Sequence, residues 1–264
     1  MRLGLIGNGA IAQYATAELE KRGHVIAAYL LRPERVAAMP VKAGEGLVIT
    51  DNVAGLPRDL DHVIDCAGHA ALRQYGADLL RRGYDLTTVS IGALADHDLA
   101  VALDRAAQDG NAVLHLASGA IGGLDTLRAA AAGTLSQVRY IGRKPPQGWK
   151  GSAAETRIDL ADMSKGAQVH FEGSARKAAL EYPKNANVAA AVALAGLGFD
   201  ATEVTLIADP DISDNIHEIH ATGDFGSFTF RIIGKTLPGN PRTSALAAMS
   251  VVSTITQLCN SIRF

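Results

Sequence analysis

Three sets of residues in this chain of 264 have types and spacings that can do chemistry. The first is Gly7-Asn8-Gly9-Ala10-Ile11-Ala12, which fits G-x-G-x-x-G/A. In that pattern the first glycine permits a tight turn, the second removes a side chain where a pyrophosphate must approach, and the small final residue lets a helix lie close to a strand. Backbone N–H groups at the helix start then face the anion. Glycines can also simply end a strand. Here they follow a strand-like run and open a helical one, so Gly7, Gly9, Ala10 and Ile11 read as a dinucleotide phosphate loop. The carboxylate that usually takes the ribose 2′-hydroxyl at the end of the second strand is missing. Leu31-Arg32-Pro33-Glu34-Arg35 stands there instead, and Arg32 and Arg35 either pair with a 2′-phosphate or are merely solvated. The cofactor is then NAD or NADP, with NADP(H) expected to be accepted at least as well as NAD(H).

The second set is histidine. Eight are present, but His217 and His220 are three apart, and on a strand an odd separation sends side chains to opposite faces. No Cys/His cluster has ligand spacing either, so no metal is expected. Asn215, His217, Ile219 and Ala221 share one side of that strand, and Glu218, His220 and Thr222 share the other, more polar side. His217 is the inward candidate and His220 a surface residue. An inward histidine is either a catalyst or a satisfied core residue. His69 follows Cys66-Ala67-Gly68 at the end of a parallel strand, the edge where doubly wound sheets bind ligands. It lines a cofactor crevice or caps a helix. Cys66 lies beside that crevice with no base adjacent in sequence, and reads as a structural thiol. His24, His62, His97, His115 and His170 carry no local signal.

The third set is cationic. Gly142-Arg143-Lys144-Pro145-Pro146 and the stretch from Gly173 to Asn187 place Arg143, Lys144, Arg176 and Lys184, with the hydroxyl of Ser174, at strand ends and helix starts. Such groups suit recognition of carboxylates; a solvated basic edge is the alternative. Asn187, heading the apolar run Val188–Leu197, either caps a helix or positions a nicotinamide amide.

These residues must be held by folded elements, and the composition supports that. Hydrophobic residues make up 48% and charged residues 20%, which excludes disordered, collagenous and disulfide-scaffold chains. A net charge of −2 gives no reason to expect nucleic acid or an anionic membrane as partner. Cys66 and Cys259 are far apart in sequence and expected to be unbridged. The opening residues run straight into a strand and turn, so no signal peptide is expected, and the cytoplasm is the expected compartment. The longest nearly apolar run, Val188–Phe199, falls well short of the roughly 20 residues that span a bilayer.

Residues 2 to 116 alternate short β-branched or leucine-rich runs with amphipathic ones, the pattern of βαβ units on a parallel sheet. Strands are predicted near Leu3–Ile6, Val25–Leu30, Leu47–Ile49, Val63–Cys66, Asp85–Val89 and Ala112–Leu116, and helices near Ile11–Arg22, Ala70–Arg82 and Asp96–Gln108. After a helix from Ile121 and a strand near Val138–Arg143, three runs, Val204–Ala208, Ile216–Thr222 and Ser227–Ile233, predict an antiparallel meander in a second, α+β domain. The domains are thus 1–117, dinucleotide-binding, and 118–241, with a terminal helix from about 242 to 264 expected to return to the first.

In this order, Gly7-x-Gly9-Ala10-Ile11, Asp65-Cys66-Ala67-Gly68-His69, Ser90-Ile91-Gly92-Ala93-Leu94, Ser118-Gly119-Ala120-Ile121-Gly122, Gly142-Arg143-Lys144-Pro145, Tyr182-Pro183-Lys184-Asn185-Ala186-Asn187-Val188 and Asp214-Asn215-Ile216-His217 resemble the L-aspartate dehydrogenase family. The glycine loop is shared by many dehydrogenases; the Pro-Lys-Asn-Ala-Asn-Val and Asn-x-His segments are specific. The resemblance implies a Rossmann-type doubly wound sheet followed by an α+β domain of homoserine dehydrogenase-like architecture, whose open sheet face pairs in a homodimer. It also implies NAD(P)-dependent oxidation of L-aspartate to iminosuccinate, which gives oxaloacetate and ammonia or feeds NAD biosynthesis. Ala120 and Asn187 would contact the nicotinamide end of the cofactor. His217 would be the catalyst beside Asn215, moving a proton with a pKa near neutrality. Two substrate carboxylates would draw anchors from Arg143, Lys144, Ser174, Arg176 and Lys184. The alternatives are a dehydrogenase or reductase of another small dicarboxylate or amino acid, and an NAD(P)-sensing module without turnover.

Overall fold

Short apolar runs build the first sheet, in the computed structural model, which describes residues 1–38, 46–183, 185–238 and 240–262. In chain order the elements are β1 (Arg2–Ile6), α1 (Ala10–Glu20), β2 (Val25–Leu30), α2 (Pro33–Ala38), β3 (Val48–Thr50), β4 (His62–Asp65), α3 (His69–Arg81), β5 (Leu86–Thr88), α4 (His97–Gly110) and β6 (Leu114–Leu116). All six strands pair in parallel, in the order β3-β2-β1-β4-β5-β6. This is the doubly wound arrangement, whose ligands lie beyond the carboxyl ends of the strands where the order reverses. Between β1 and β4 that reversal places Gly7 and Cys66 side by side in the chain's exits. The expected strands and helices differ from these mainly at their ends. Helix α2 was not expected: it has six residues and buries none of them, so it carries no periodicity to read. Pro33 starts it, where a missing N–H costs nothing.

The second unit runs through α5 (Leu124–Ala130), β7 (Leu135–Lys144), β8 (Gln168–Ser174), α6 (Ala175–Glu181), α7 (Asn187–Ala195), α8 (Gly198–Ala201), β9 (Glu203–Ala208), β10 (Asn215–Gly223), β11 (Gly226–Gly234), β12 (Thr236–Leu237) and β13 (Asn240–Ser244). Five strands form a mixed sheet in the order β11-β10-β7-β9-β8, and β12 pairs with β13. The predicted three-strand meander is therefore corrected. β10 and β11 do form a hairpin, but β7 lies between β9 and β10, parallel to the former and antiparallel to the latter. The turn residues Asp209-Pro210-Asp211 signal a reversal; they hold no information about which strand waits on the other side. Val138, Tyr140 and Gly142 of β7 and His217, Ile219 and Ala221 of β10 are buried, facing one way. Helix α7 is buried nearly all round, as an alanine-rich helix without a polar face must be.

The last helix, α9 (Ala245–Cys259), leaves this unit: from Ala247 the chain belongs to the first one. Val251, Val252 and Ile255 join Leu3, Leu5, Leu19 and Ile64 in its core. Burying each such aliphatic side chain stabilises by about 1.5–3 kcal/mol. The first unit otherwise comprises Met1–Ser90 and His97–Ala117, and the second takes Ile91–Asp96 and Ser118–Leu246. Among the described residues, no helix is long and apolar enough to cross a membrane.

Candidate active site

In the first unit the chain turns at Gly7 with φ 88°, a left-handed conformation that favours glycine, and a Cβ there would sit 2.9 Å from Cβ of Ala67. Gly9 is the N-cap of α1 and brings no side chain to the cap; among the described residues beyond its chain neighbours, no atom lies within 4 Å of where its Cβ would be. Ala10 and Ile11 begin the helix. A cradle that is open at Gly9, and lies at a helix N-terminus, fits a dinucleotide pyrophosphate. The neighbouring strand exit is shaped by Asp65, which is fully buried. Its Oδ1 accepts the N–H of Ala67 at 2.9 Å, and its Oδ2 accepts the hydroxyls of Thr88 and Ser90, each at 2.7 Å. Burial nonetheless pushes its pKa above the usual carboxylate range. Burial, with the Asp65 charge behind it, also pushes the Cys66 thiol up, which disfavours the thiolate. Gly68 caps α3, leaving His69 as the first helical residue; the capping reading of His69 is corrected. Arg32 is exposed and pairs with Glu34 at 3.3 Å.

In the second unit His217 lies opposite Gly142 in the β7–β10 register. It is 3% exposed, and Nδ1 is 2.7 Å from Oη of Tyr140, whose ring lies nearly parallel to the imidazole at 18°. His220 is on the other face, as strand parity requires, against Glu218 and Thr229. Burial, and then the positive charge of Lys144, hold the His217 pKa down at about 3. The expectation of a value near neutrality is corrected: buried in this way, the imidazole favours its neutral form. Lys144 is on the same face as Gly142, two residues further on. Its Nζ donates to Oδ1 of Asn185 at 2.9 Å and lies 4.9 Å from the Trp149 ring centre, and desolvation lowers its pKa to about 8. The position a Cβ on Gly148 would take is 3.2 Å from Cβ of Lys144 and 3.8 Å from Oδ1 of Asn215, which brings Asn215 to the same spot. Trp149 also packs edge-on to His170 at 4.4 Å. His170 accepts or donates at Nδ1 to Tyr182 Oη at 3.1 Å, and burial lowers its pKa to about 4.

Among the described residues, the two candidate arginines are already matched by carboxylates. Arg143 donates to Asp209 at 2.7 Å. Arg176 holds both oxygens of Asp200, at 2.7 and 2.8 Å, and also reaches the Ala95 carbonyl. Ser174 is the N-cap of α6 and accepts from Lys177 N–H at 3.4 Å. Lys184 lies outside the described residues. Lys144 alone, among the described candidates, meets a neutral amide and an aromatic face in place of a carboxylate. Asn187 does not cap α7, since Ala186 does; its Oδ1 accepts the N–H of Gly92 at 2.8 Å. Ala120 is buried in the turn before α5. Sequence reading passed over Tyr140, Asn185 and Trp149. Tyr140 was legible only through β7 parity, being two residues from Gly142.

One histidine group arises that sequence spacing hid. Atoms of His62, Asp85 and His115 able to ligate a metal lie within 4.8 Å of one another. His62 Nε2 is 2.7 Å from Thr87 Oγ1, and burial takes its pKa to about 4. These residues start β4, precede β5 and sit in β6, at the end of the sheet away from the phosphate loop. Exhaustive chelation is expected to leave turnover unchanged. Activity lost to EDTA and restored by zinc would overturn this.

Residues 3–117 match the model of the homoserine dehydrogenase NAD-binding domain, and residues 125–258 that of the aspartate dehydrogenase C-terminal domain. The chain is 51% identical over 263 residues to an L-aspartate dehydrogenase of Ruegeria pomeroyi, covering 100% of this chain and 94% of that one. It is 44% identical over 258 residues to one from Ralstonia nicotianae, covering 96% and 95%. The crystal structure of an aspartate dehydrogenase from Thermotoga maritima superposes with a TM-score of 0.76 at 27% identity, over 100% of this chain and 99% of that one.

Proposed function

The chain belongs to the L-aspartate dehydrogenase family of oxidoreductases, and from that membership we propose that it oxidises L-aspartate to iminosuccinate with NAD(P), yielding oxaloacetate and ammonia on hydrolysis or feeding NAD biosynthesis. The observation that carries the reading is the Lys144 ammonium, desolvated near His217 and without a carboxylate among the described residues. A cation left uncompensated in this way calls for an anionic ligand. A substrate carboxylate fits, with Asn185 and Asn215 holding the lysine and the ligand in place.

Gly7, Gly9, Ala10 and Ile11 would hold the pyrophosphate by backbone, and Ala120 and Asn187 would adjoin the nicotinamide. When bound, the cofactor supplies the hydride acceptor. Hydride leaves Cα readily only from a neutral amine, so this chain must move a proton. His217 is assigned that task. Burial first, and the Lys144 charge second, hold the His217 pKa down; a bound dianion offsets the second cause and so moves that pKa upward. The experiment is a scan of amino acids, and of 2-oxo acids with ammonia, followed by absorbance of the reduced cofactor. Turnover with aspartate and with oxaloacetate plus ammonia is expected. Cofactor binding without turnover of any substrate would favour a sensor instead.

The exposed Arg32 at the end of β2, with no acidic residue in the ribose position, supports NADP(H) being accepted at least as well as NAD(H). A kcat/KM for NAD(H) tenfold or more above that for NADP(H), about 1.4 kcal/mol, would refute this. The sheet face bearing Ser227, Thr229, Arg231 and Ile233 is exposed and is assigned to a homodimer. Sedimentation at the mass of a single chain would remove that assignment.

A further inference from the structure

We infer that Tyr140 is the positioning residue for His217, gripping the imidazole at Nδ1 and deciding which ring nitrogen carries the proton. This rests on His217 being the proton-transfer group. Two features of the sheet build the contact. Tyr140 pairs with Ile219, not with His217, so its ring must lean along the strand to reach the imidazole. Gly142 clears that path: a Cβ there would fall 2.7 Å from Tyr140 Oη and 3.1 Å from Cζ. The glycine of the Gly-Arg-Lys-Pro segment thus has a stated use, which is to let a phenol lie where a side chain would stand.

The direction of the hydrogen bond follows from what else the hydroxyl can reach. Tyr140 is 1% exposed, and His217 is its only hydrogen-bond partner among the described residues. If Nδ1 carried the hydrogen and donated, the phenol hydrogen would be buried without an acceptor, which proteins avoid. The phenol therefore donates to Nδ1, and the imidazole hydrogen sits on Nε2, a nitrogen with no partner among the described residues. His217 so meets its substrate first as a hydrogen-bond donor. With its hydrogen on Nε2 that nitrogen has no lone pair, so to take a proton from the substrate the ring must first exchange with solvent into the Nδ1–H tautomer, the phenol turning to accept from Nδ1–H.

The sign of a pKa change tests this. A donor to Nδ1 stabilises the neutral imidazole, so Tyr140→Phe is expected to raise the proton affinity of His217 about tenfold. An acceptor from Nδ1–H would stabilise the charged form, and its removal would lower that affinity. The measurement is 15N NMR of the full-length protein labelled in histidine, with His217 assigned by its loss in His217→Gln. In the wild type, Nε2 should carry the hydrogen and Nδ1 should not. In Tyr140→Phe the two tautomers should mix and the titration move up, with some loss of thermal stability from the unpaired Nδ1 and cofactor affinity near wild type. Gly142→Ala, which crowds the phenol out, should reproduce both changes. A hydrogen on Nδ1 in the wild type, or a His217 titration that stays put or falls in Tyr140→Phe, overturns the inference. Because the tautomer is read without turnover, these outcomes are separate from loss of the catalytic role, which a fully active His217→Ala enzyme would reveal.

Discussion

Replacing His217 by alanine is expected to lower kcat by roughly two to four orders of magnitude, the scale of a general acid–base group, while cofactor affinity stays near wild type. The second half of the expectation follows from the chain's division: the phosphate loop belongs to the first unit and His217 to the second. His220→Ala should change little, because that ring faces the other side of β10 against Glu218 and Thr229. A core-packing role for His217 predicts a different pattern. The imidazole is buried and bonded to Tyr140, so its loss would then lower the unfolding temperature and reduce activity only in proportion to folded protein. Thermal unfolding, cofactor titration and steady-state kinetics on both variants separate the two. A folded, cofactor-binding His217→Ala enzyme with near-normal kcat would falsify the assignment.

Lys144→Met is expected to lower kcat/KM for aspartate by about two orders of magnitude or more, the cost of removing one partner of a desolvated charge pair. Methionine keeps an unbranched apolar side chain, one atom shorter than lysine, so the loss reports chiefly the ammonium. Removing that charge also removes one of the two causes that depress His217, whose pKa should therefore rise in this variant. Desolvation lowers the Lys144 pKa to about 8, so the ammonium is expected below that value and its loss above it. Aspartate binding should accordingly hold on the acid side of that value and weaken as pH rises through it, with KM climbing. A Lys144→Met enzyme with an unchanged KM, or a wild-type KM flat from pH 7 to pH 10 in a titration of this kind, would remove Lys144 as the carboxylate anchor. Arg143→Ala and Arg176→Ala should act differently. Their guanidinium groups already hold Asp209 and Asp200, so Arg143→Ala should lower stability by leaving the buried Asp209 unpaired, whereas Arg176→Ala leaves an exposed, solvated Asp200 and should cost little.

The glycine turn between β1 and α1 was legible because every part of it is local: two glycines, a strand before them and a helix after, all within about a dozen residues. The inward aim of His217 was equally local, since a strand of period two sorts alternate residues whatever lies beside it. What the strand pattern could not supply was the neighbour. The Asp209-Pro210-Asp211 turn reads the same whether β9 meets β10 or is separated from it by β7, and only hydrogen bonding across the folded sheet decides between them.

The same limit separates the cations. By sequence alone this chain specified a nucleotide-binding α/β unit, a second α+β unit, an inward histidine on a strand and a pool of basic residues able to meet carboxylates. Which base is free for a ligand depends on long-range partners: Asp209 lies 66 residues from Arg143, and Asp200 lies 24 from Arg176. Folding neutralises those two and leaves Lys144 against an amide and an indole. The protonation state of His217 was decided in the same way. An isolated imidazole titrates near neutrality, but burial in the second unit's sheet and a lysine two positions past its cross-strand partner take it to about 3. Residue types and their periodicity are properties of short segments, whereas charge compensation and desolvation are sums over everything the folded chain brings within a few ångströms, and only the tertiary structure performs that sum.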